Sequence, residues 1–180
     1  MSALPALGPI TEEQYLTDPA FKHCEYVDGI IVERNLGTKP HARIQSKCSR
    51  KLDEYLDTHP GGYVVVELHC RLQVRGRLRF RLPDVAVVLA DDAAEQRYLE
   101  RSPDLVVEVR SPDDSLTSQL RKMDDYFENG CRLAWLVLPE EKSVVILTPG
   151  GAPRTATAGE TLDGGGVLPG LSIPVDDLFA

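Results

Sequence analysis

Two apolar stretches decide the fold: Val85-Ala86-Val87-Val88-Leu89 and Leu105-Val106-Val107-Glu108-Val109. Runs of β-branched and other apolar residues of this length are typical of buried strands. Each stretch carries an unexpected carboxylate, because Asp84 follows Pro83 at the start of the first and Glu108 lies inside the second. An ionised carboxylate is costly to bury unless it is paired or binds a metal. The two stretches therefore predict core strands whose acidic side chains need partners.

The two carboxylates belong to neighbouring core strands in this interpretation, so they can converge at one end of a sheet. Converging carboxylates are a common way to hold Mg²⁺, a hard cation that prefers oxygen ligands. The alternative is a pair of strand-end acids that accept hydrogen bonds from backbone N–H groups or pair with an arginine. The residue pattern alone leaves both interpretations open.

The segments around these strands carry helix and turn signals. Apolar residues at helical spacing predict a helix from His41 to about Leu56, after a short helix capped by Thr11. Asp28-Gly29 between apolar runs predicts an N-terminal hairpin. A further helix, which ends at Gly130, is predicted from an apolar stripe of four residues: Leu116, Leu120, Met123 and Phe127.

Alternating or continuous apolar residues predict the remaining strands. These cover residues 63–74, 78–82, 133–138 and 143–147, with a polar surface loop or short helix at 91–102. Turns or a loose hairpin are expected at 149–166, followed by a packed C-terminal edge. This order predicts one α/β domain over residues 1–180, with a mixed sheet flanked by helices, an N-terminal hairpin and C-terminal β additions.

Lys122 lies on the flank of the apolar stripe of the last long helix, in line with Ser115, Ser118 and Tyr126. From there its ammonium group can reach the edge of the carboxylate site. Beside a metal-held phosphate, an ammonium group would orient a water molecule and offset developing charge. The alternative is a solvated lysine whose stem lies on the core.

Arginines dominate the segment between Leu68 and Leu82, which contains no acid. Period-2 spacing places most of them on one face of a hairpin around Gly76. The arginines at positions 77, 79 and 81 are candidates for phosphate binding, namely Arg77, Arg79 and Arg81. The alternative is a solvated hairpin whose arginines pair with surface acids, each pair contributing little.

Composition limits the other function classes. The 20 Lys and Arg residues against 28 Asp and Glu residues give a formal net charge of −8. Such a chain does not grip nucleic acid over its whole surface, so a local basic patch would be needed. No segment approaches the roughly 20 apolar residues of a membrane span, the first residues lack secretory-signal character, and the four cysteines lack zinc spacing. These features predict a reduced cytoplasmic protein without membrane contact.

The order and spacing of several motifs resemble the Uma-two type of restriction endonuclease, a bacterial group within the PD-(D/E)XK nuclease superfamily. The motifs that carry the resemblance are Pro83-Asp84-Val85, Glu108-Val109-Arg110-Ser111-Pro112, Lys122 with Tyr126 and Gly130, Glu25-Tyr26-Val27-Asp28-Gly29, His41, and Leu168-Pro169-Gly170-Leu171-Ser172-Ile173-Pro174. They extend over nearly the whole chain. The resemblance implies a restriction-endonuclease-like core and cleavage of DNA that depends on Mg²⁺ or Mn²⁺.

The resemblance also implies roles for particular residues. Asp84 and Glu108 match the metal carboxylates of the family, and Lys122 matches a lysine that in this branch lies on the following helix. Arg110 occupies the more usual position of that lysine, two residues after Glu108. Arginine transfers protons poorly because it stays protonated, which favours Lys122.

Three further residues are weaker candidates for supporting roles, namely Glu67, His41 and Tyr126. Two positions depart from the family pattern, since Ser118 and Leu138 stand where the family often carries Asp. These departures and the acidic surface keep a second hypothesis open: a nuclease-like domain that binds nucleic acid or protein without cutting. For an active nuclease we expect weak, strongly salt-sensitive DNA binding. The need to address both strands of a duplex is consistent with a homodimer.

Overall fold

The structure is a computed structural model that describes residues 8–35, 37–89 and 97–180. Within these ranges the helices are α1 (Glu12–Thr17), α2 (Lys39–Thr58), α3 (Leu116–Glu128) and α4 (Val175–Phe179), with a 3₁₀ turn at Pro19–Phe21. The strands are β1 (Cys24–Val27), β2 (Ile30–Glu33), β3 (Gly62–Val66), β4 (Cys70–Val74), β5 (Arg77–Arg81), β6 (Val85–Leu89), β7 (Leu105–Val109), β8 (Leu133–Leu138), β9 (Ser143–Leu147), β10 (Arg154–Ala156), β11 (Thr161–Gly164) and β12 (Leu168–Pro174).

A six-stranded sheet of order β10-β9-β8-β7-β6-β3 forms the centre of the fold. Strands β7 and β8 are parallel, while the other neighbours are antiparallel. One face packs against α2 and the C-terminal elements, and the other packs against β4 and α3. The predicted mixed sheet flanked by helices is therefore confirmed. Every residue of β7 is buried, because helices or strands cover both faces of the sheet.

The predicted N-terminal hairpin is also confirmed and belongs to a second, four-stranded sheet. Strands β1 and β2 pair through a turn at Asp28 and Gly29, and the sheet has the order β2-β1-β5-β4. The arginine-rich strand β5 lies between β1 and β4. Tyr26 of β1 and Phe80 of β5 form an aromatic cluster with Tyr15 of α1, which packs α1 against this sheet. This second sheet carries charged side chains of β1 and β5 towards the edge of the central sheet.

The prediction of one continuous strand over residues 63–74 is wrong. Residues 62–66 pair with β6 in the central sheet, whereas residues 70–74 pair with β5 in the second sheet. Glu67 has a φ of 52°, in the left-handed region, and ends the extended run between them. Val66, which the alternation placed on the apolar face, is 48% exposed. The alternation of apolar residues continues across the break, so the sequence pattern does not reveal where the strand ends.

The predicted apolar stripe of α3 is wrong in its first half. Leu116 and Leu120 are exposed, whereas Gln119, Met123 and Tyr126 are buried. Polar contacts hold the buried Gln119, since its Nε2 donates to Asp114 at 2.9 Å. The stripe is displaced because the first turns of α3 line a polar cleft and not the apolar core.

Smaller features complete the fold. Residues 149–166 do contain turns, but β10 joins the edge of the central sheet and β11 pairs with β12. All four cysteines are buried free thiols. Of the loop or helix predicted at 91–102, residues 91–96 lie outside the described residues. None of the helices described here is long and apolar enough to cross a membrane.

Candidate active site

Asp84 and Glu108 lie next to each other at one end of the central sheet. Strands β6 and β7 are antiparallel, and Val85 faces Val107, which places Asp84 beside Glu108. The side chains of both acids are almost completely buried, 1% exposed for Asp84 and 3% for Glu108. They line a cleft of about 570 Å³ that Lys122 of α3 also lines. The structure thus brings together the three residues that the sequence singled out first.

The carboxylate of Asp84 is held by three groups. The backbone N–H of Val109 donates to Oδ2 at 2.7 Å, and Nε2 of His41 lies 3.2 Å from the same oxygen. The guanidinium group of Arg34 contacts Oδ1. Burial opposes the charged form, but the bond from His41 and the charge of Arg34 outweigh it and hold the pKa of Asp84 below its ordinary value. Asp84 is therefore a preorganised carboxylate at neutral pH.

Glu108 has a different environment. The Tyr126 hydroxyl donates to Oε1 at 2.8 Å, and Nζ of Lys122 lies 2.9 Å from the same atom. Burial is the main cause that raises the pKa of Glu108, the negative charges of Asp84 and Glu25 add to it, and Lys122 opposes them. A cation bound beside Glu108 would favour its charged form and offset part of the cost of burial.

Lys122 lies between two carboxylates. Its Nζ is 2.9 Å from Glu108 Oε1 and 3.0 Å from Glu25 Oε1. Burial favours the neutral amine, but Glu108 and Glu25 outweigh it and raise the pKa of Lys122 above its ordinary value. The side chain is therefore an ammonium group at neutral pH. Ser115 caps the helix that carries Lys122, and the buried Met123 and Tyr126 pack this helix against the core that includes Val106 of β7.

The three weaker candidates all lie at the site. His41 and Glu67 line the cleft, and Tyr126 contacts Glu108. His41 lies in the first turn of α2, where its backbone N–H donates to the side chain of the capping Thr38. Tyr126 lies one helical turn after Lys122. Glu67 is partly exposed and contacts Nη1 of Arg34 at 3.2 Å. The left-handed backbone at Glu67 turns the chain where β3 ends.

The other cationic candidates are bound to acids. Arg110 points away from the acids of the cleft and contacts Glu141 at 3.0 Å. The hairpin arginines also have acidic partners: Arg77 contacts Asp28, Arg79 contacts Asp28 and Asp125, and Arg81 contacts Glu25 and Asp125. This pairing favours the alternative in which the basic segment forms ion pairs instead of binding phosphate.

Sequence reasoning missed two residues of the site, Arg34 and Glu25. Arg34 follows β2 and bridges Asp84 and Glu67, while Glu25 lies in β1 and contacts Lys122. Charged residues are ordinary in hairpin strands, so nothing in their local pattern distinguishes them from surface residues. The one available signal was the Glu25-containing motif shared with the nuclease family.

The donor chemistry of the pocket fits Mg²⁺ or Mn²⁺. Both cations prefer carboxylate and carbonyl oxygens, which Asp84, Glu108 and the strand backbone supply. Among the described residues, no group of three or more His, Cys, Asp or Glu side chains is arranged as a metal site. The protein would thus supply two carboxylates, with water and substrate completing the coordination.

The mixed sheet, its flanking helices and a polar cleft with paired carboxylates and a lysine define a nuclease-like α/β protein. The chain matches the model of the Uma2 family, described as "Putative restriction endonuclease", over residues 12–176, and it belongs to that family. A crystal structure of a putative nuclease belonging to DUF820 from Anabaena variabilis has a similar fold, with a TM-score of 0.83 and 22% sequence identity. The match covers 95% of this chain and 98% of that one. The search of curated proteins returned no match.

Proposed function

We propose that this protein is a metal-dependent endonuclease that hydrolyses phosphodiester bonds in DNA at this cleft. The observation that carries the proposal is the convergence of Asp84, Glu108 and Lys122 in one polar cleft. Membership of the Uma2 family supports it independently. Burying carboxylates at such a cleft costs desolvation free energy, and stability of the fold alone does not require it. Such groups are concentrated at functional sites.

Asp84 and Glu108 would hold Mg²⁺ or Mn²⁺ in the proposed reaction. When bound, such a cation lowers the pKa of a coordinated water molecule and offsets charge on the phosphate. The protein's own contribution is to orient the carboxylates beforehand. The Val109 N–H and His41 fix Asp84, while Tyr126 and Lys122 fix Glu108.

Lys122 would act by charge in this proposal. The charges of Glu108 and Glu25 raise its pKa, which favours the ammonium form at neutral pH. The ammonium group would orient the attacking water and stabilise the negative charge that develops on the phosphate. DNA binding is expected to be weak, since the hairpin arginines are already paired with acids.

A second candidate function is a nuclease-like module that binds nucleic acid or protein without cutting. The specific observation in its favour is that each carboxylate already has a cationic partner, Arg34 for Asp84 and Lys122 for Glu108, and that His41 also contacts Asp84. A cation at the site would have to compete with these partners. Activity measurements separate the two functions directly.

The test is cleavage of labelled DNA and RNA with Mg²⁺ or Mn²⁺ by wild type, Asp84→Ala, Glu108→Ala and Lys122→Met. Asp163→Asn is a matched control, because Asp163 is an exposed acid paired with Arg154 far from the cleft. The proposal expects a loss of at least 100-fold for each acid variant and full activity for the control. Equal rates in all proteins would indicate a contaminant and would sink the proposal. A folded wild type that cuts no substrate would leave the binding module as the better account.

A further inference from the structure

Glu25 is the buried acid behind Lys122. It lies on β1 and is 3% exposed. Its Oε1 is 3.0 Å from Lys122 Nζ and accepts a hydrogen bond from the Leu82 N–H at 3.2 Å. Its Oε2 accepts a hydrogen bond from Arg81 Nη1 at 2.7 Å. Both oxygens are thus fixed, and one of them faces the ammonium group.

The charges continue behind Glu25 in alternating sign. Arg81 Nη2 is 2.6 Å from Asp125 Oδ2, and Asp125 Oδ1 is 2.6 Å from Arg79 Nη1. The last arginine also reaches Asp28 at the β1–β2 turn, with Nε 3.0 Å from Oδ1. The arginine-rich strand β5 therefore supports the back of the cleft, which accounts for two of the three arginines that were candidates for phosphate binding.

Lys122 needs a second carboxylate partner if Glu108 binds a metal cation. A lysine side chain has four rotatable carbons and a compact charge, so one salt bridge leaves its ammonium group mobile. Glu108 is the carboxylate that the proposed function assigns to the metal, which weakens its hold on Lys122. Glu25 has no proposed role in metal binding, and its salt bridge with Arg81 holds its carboxylate in place.

We propose that Glu25 is a positioning residue that holds the Lys122 ammonium group at the edge of the cleft. This inference rests on the proposed nuclease function. Arg81 in turn holds Glu25, so strand β5 acts on the reaction through Glu25 and not through the DNA. Burial raises the pKa of Glu25, but the charges of Lys122 and Arg81 outweigh burial and lower this pKa to about 2.

The experiment compares Glu25→Gln with Asp125→Asn. Both variants neutralise a buried acid that contacts Arg81, but Glu25 alone contacts Lys122. Glu25→Gln is expected to lower kcat at least tenfold with KM within about twofold. Asp125→Asn is expected to keep kcat within about threefold.

A double-variant cycle separates positioning from a general loss of folding. In a Lys122→Met background, Glu25→Gln should change kcat by less than twofold, because the group that it positions is absent. Urea unfolding of each variant controls for stability. Glu25→Asp keeps the charge on a shorter stem and should retain more activity than Glu25→Gln.

The possible outcomes distinguish this inference from the proposed function. Equal losses of kcat in Glu25→Gln and Asp125→Asn, or an equally large effect of Glu25→Gln in the Lys122→Met background, would overturn the inference. Full activity of Glu25→Gln alongside an inactive Asp84→Ala would also overturn it while the nuclease function stands. A wild type without cleavage activity would overturn both.

Discussion

The hydroxyl group of Tyr126 gives the sharpest stability prediction. Tyr126 is fully buried, and its hydroxyl donates to Glu108 Oε1 at 2.8 Å. Tyr126→Phe removes this donor and leaves the ring in place. A hydrogen bond to a charged group contributes about 1.5–3 kcal/mol. We expect the free energy of unfolding to fall by about 2 kcal/mol at pH 8, or Tm by about 4–8 °C for a chain of this length.

The loss should depend on pH. Burial raises the pKa of Glu108, so the folded state is penalised once the pH exceeds the pKa of this group in the unfolded chain. Removing a donor raises the folded pKa further and enlarges that penalty. Below the unfolded pKa, about 4.3, Glu108 is neutral in both states and the penalty disappears. The effect of Tyr126→Phe should therefore be larger at pH 8 than at pH 4.5.

Urea unfolding at the two pH values measures this effect, with Tyr55→Phe as the control. The Tyr55 hydroxyl donates to the neutral Pro169 carbonyl oxygen at 2.7 Å in an exposed position. Its loss should amount to about 1 kcal/mol or less at either pH. The reasoning is refuted if Tyr126→Phe costs no more than Tyr55→Phe at pH 8. It is also refuted if the cost of Tyr126→Phe is the same at both pH values.

Three further predictions concern positions around the site and in the fold. Burial lowers the pKa of His41, but the hydrogen bond and the charge of Asp84 outweigh this effect and raise it above its ordinary value. His41 therefore contributes stability that is present below about pH 6.5 and is lost as pH rises. His41→Gln should thus cost about 1 kcal/mol at pH 6 and less at pH 9 in thermal unfolding. Arg110→Gln removes only partly exposed ion pairs and should keep the cleavage rate within about twofold, as measured beside wild type. Gly164→Ala would place a Cβ 2.3 Å from the Leu168 carbonyl oxygen, so chemical denaturation should show a loss of about 1–3 kcal/mol or more.

The fold was largely predictable because its core strands have unambiguous apolar patterns. Strands β6 and β7 and the hairpin at Asp28-Gly29 follow directly from local sequence. The break at Glu67 was not predictable, because a single left-handed residue leaves the alternation of its neighbours unchanged. Which face of α3 is buried also depends on tertiary structure. Gln119 is buried at the cleft, whereas the apolar pattern predicts burial of Leu120.

The candidate site was predictable where a residue type conflicted with its surroundings. Asp84 and Glu108 were detectable as carboxylates in apolar strands, and Lys122 was detectable beside an apolar helical stripe. Arg34 and Glu25 create no such conflict, because charged residues are common in two-stranded hairpins. Only the packing of the second sheet against the central one reveals that they contact Asp84 and Lys122.

The most direct test of the central claim is the initial rate of DNA cleavage as a function of Mn²⁺ after removal of metal with a chelator. Wild type and Glu108→Gln should be prepared in parallel, because the substitution keeps the shape of the side chain and removes its charge. The account predicts that the wild-type rate rises with Mn²⁺ and saturates, while Glu108→Gln stays at least 100-fold slower at every concentration. Cleavage by the chelated wild type, or an identical Mn²⁺ dependence in Glu108→Gln, would contradict it.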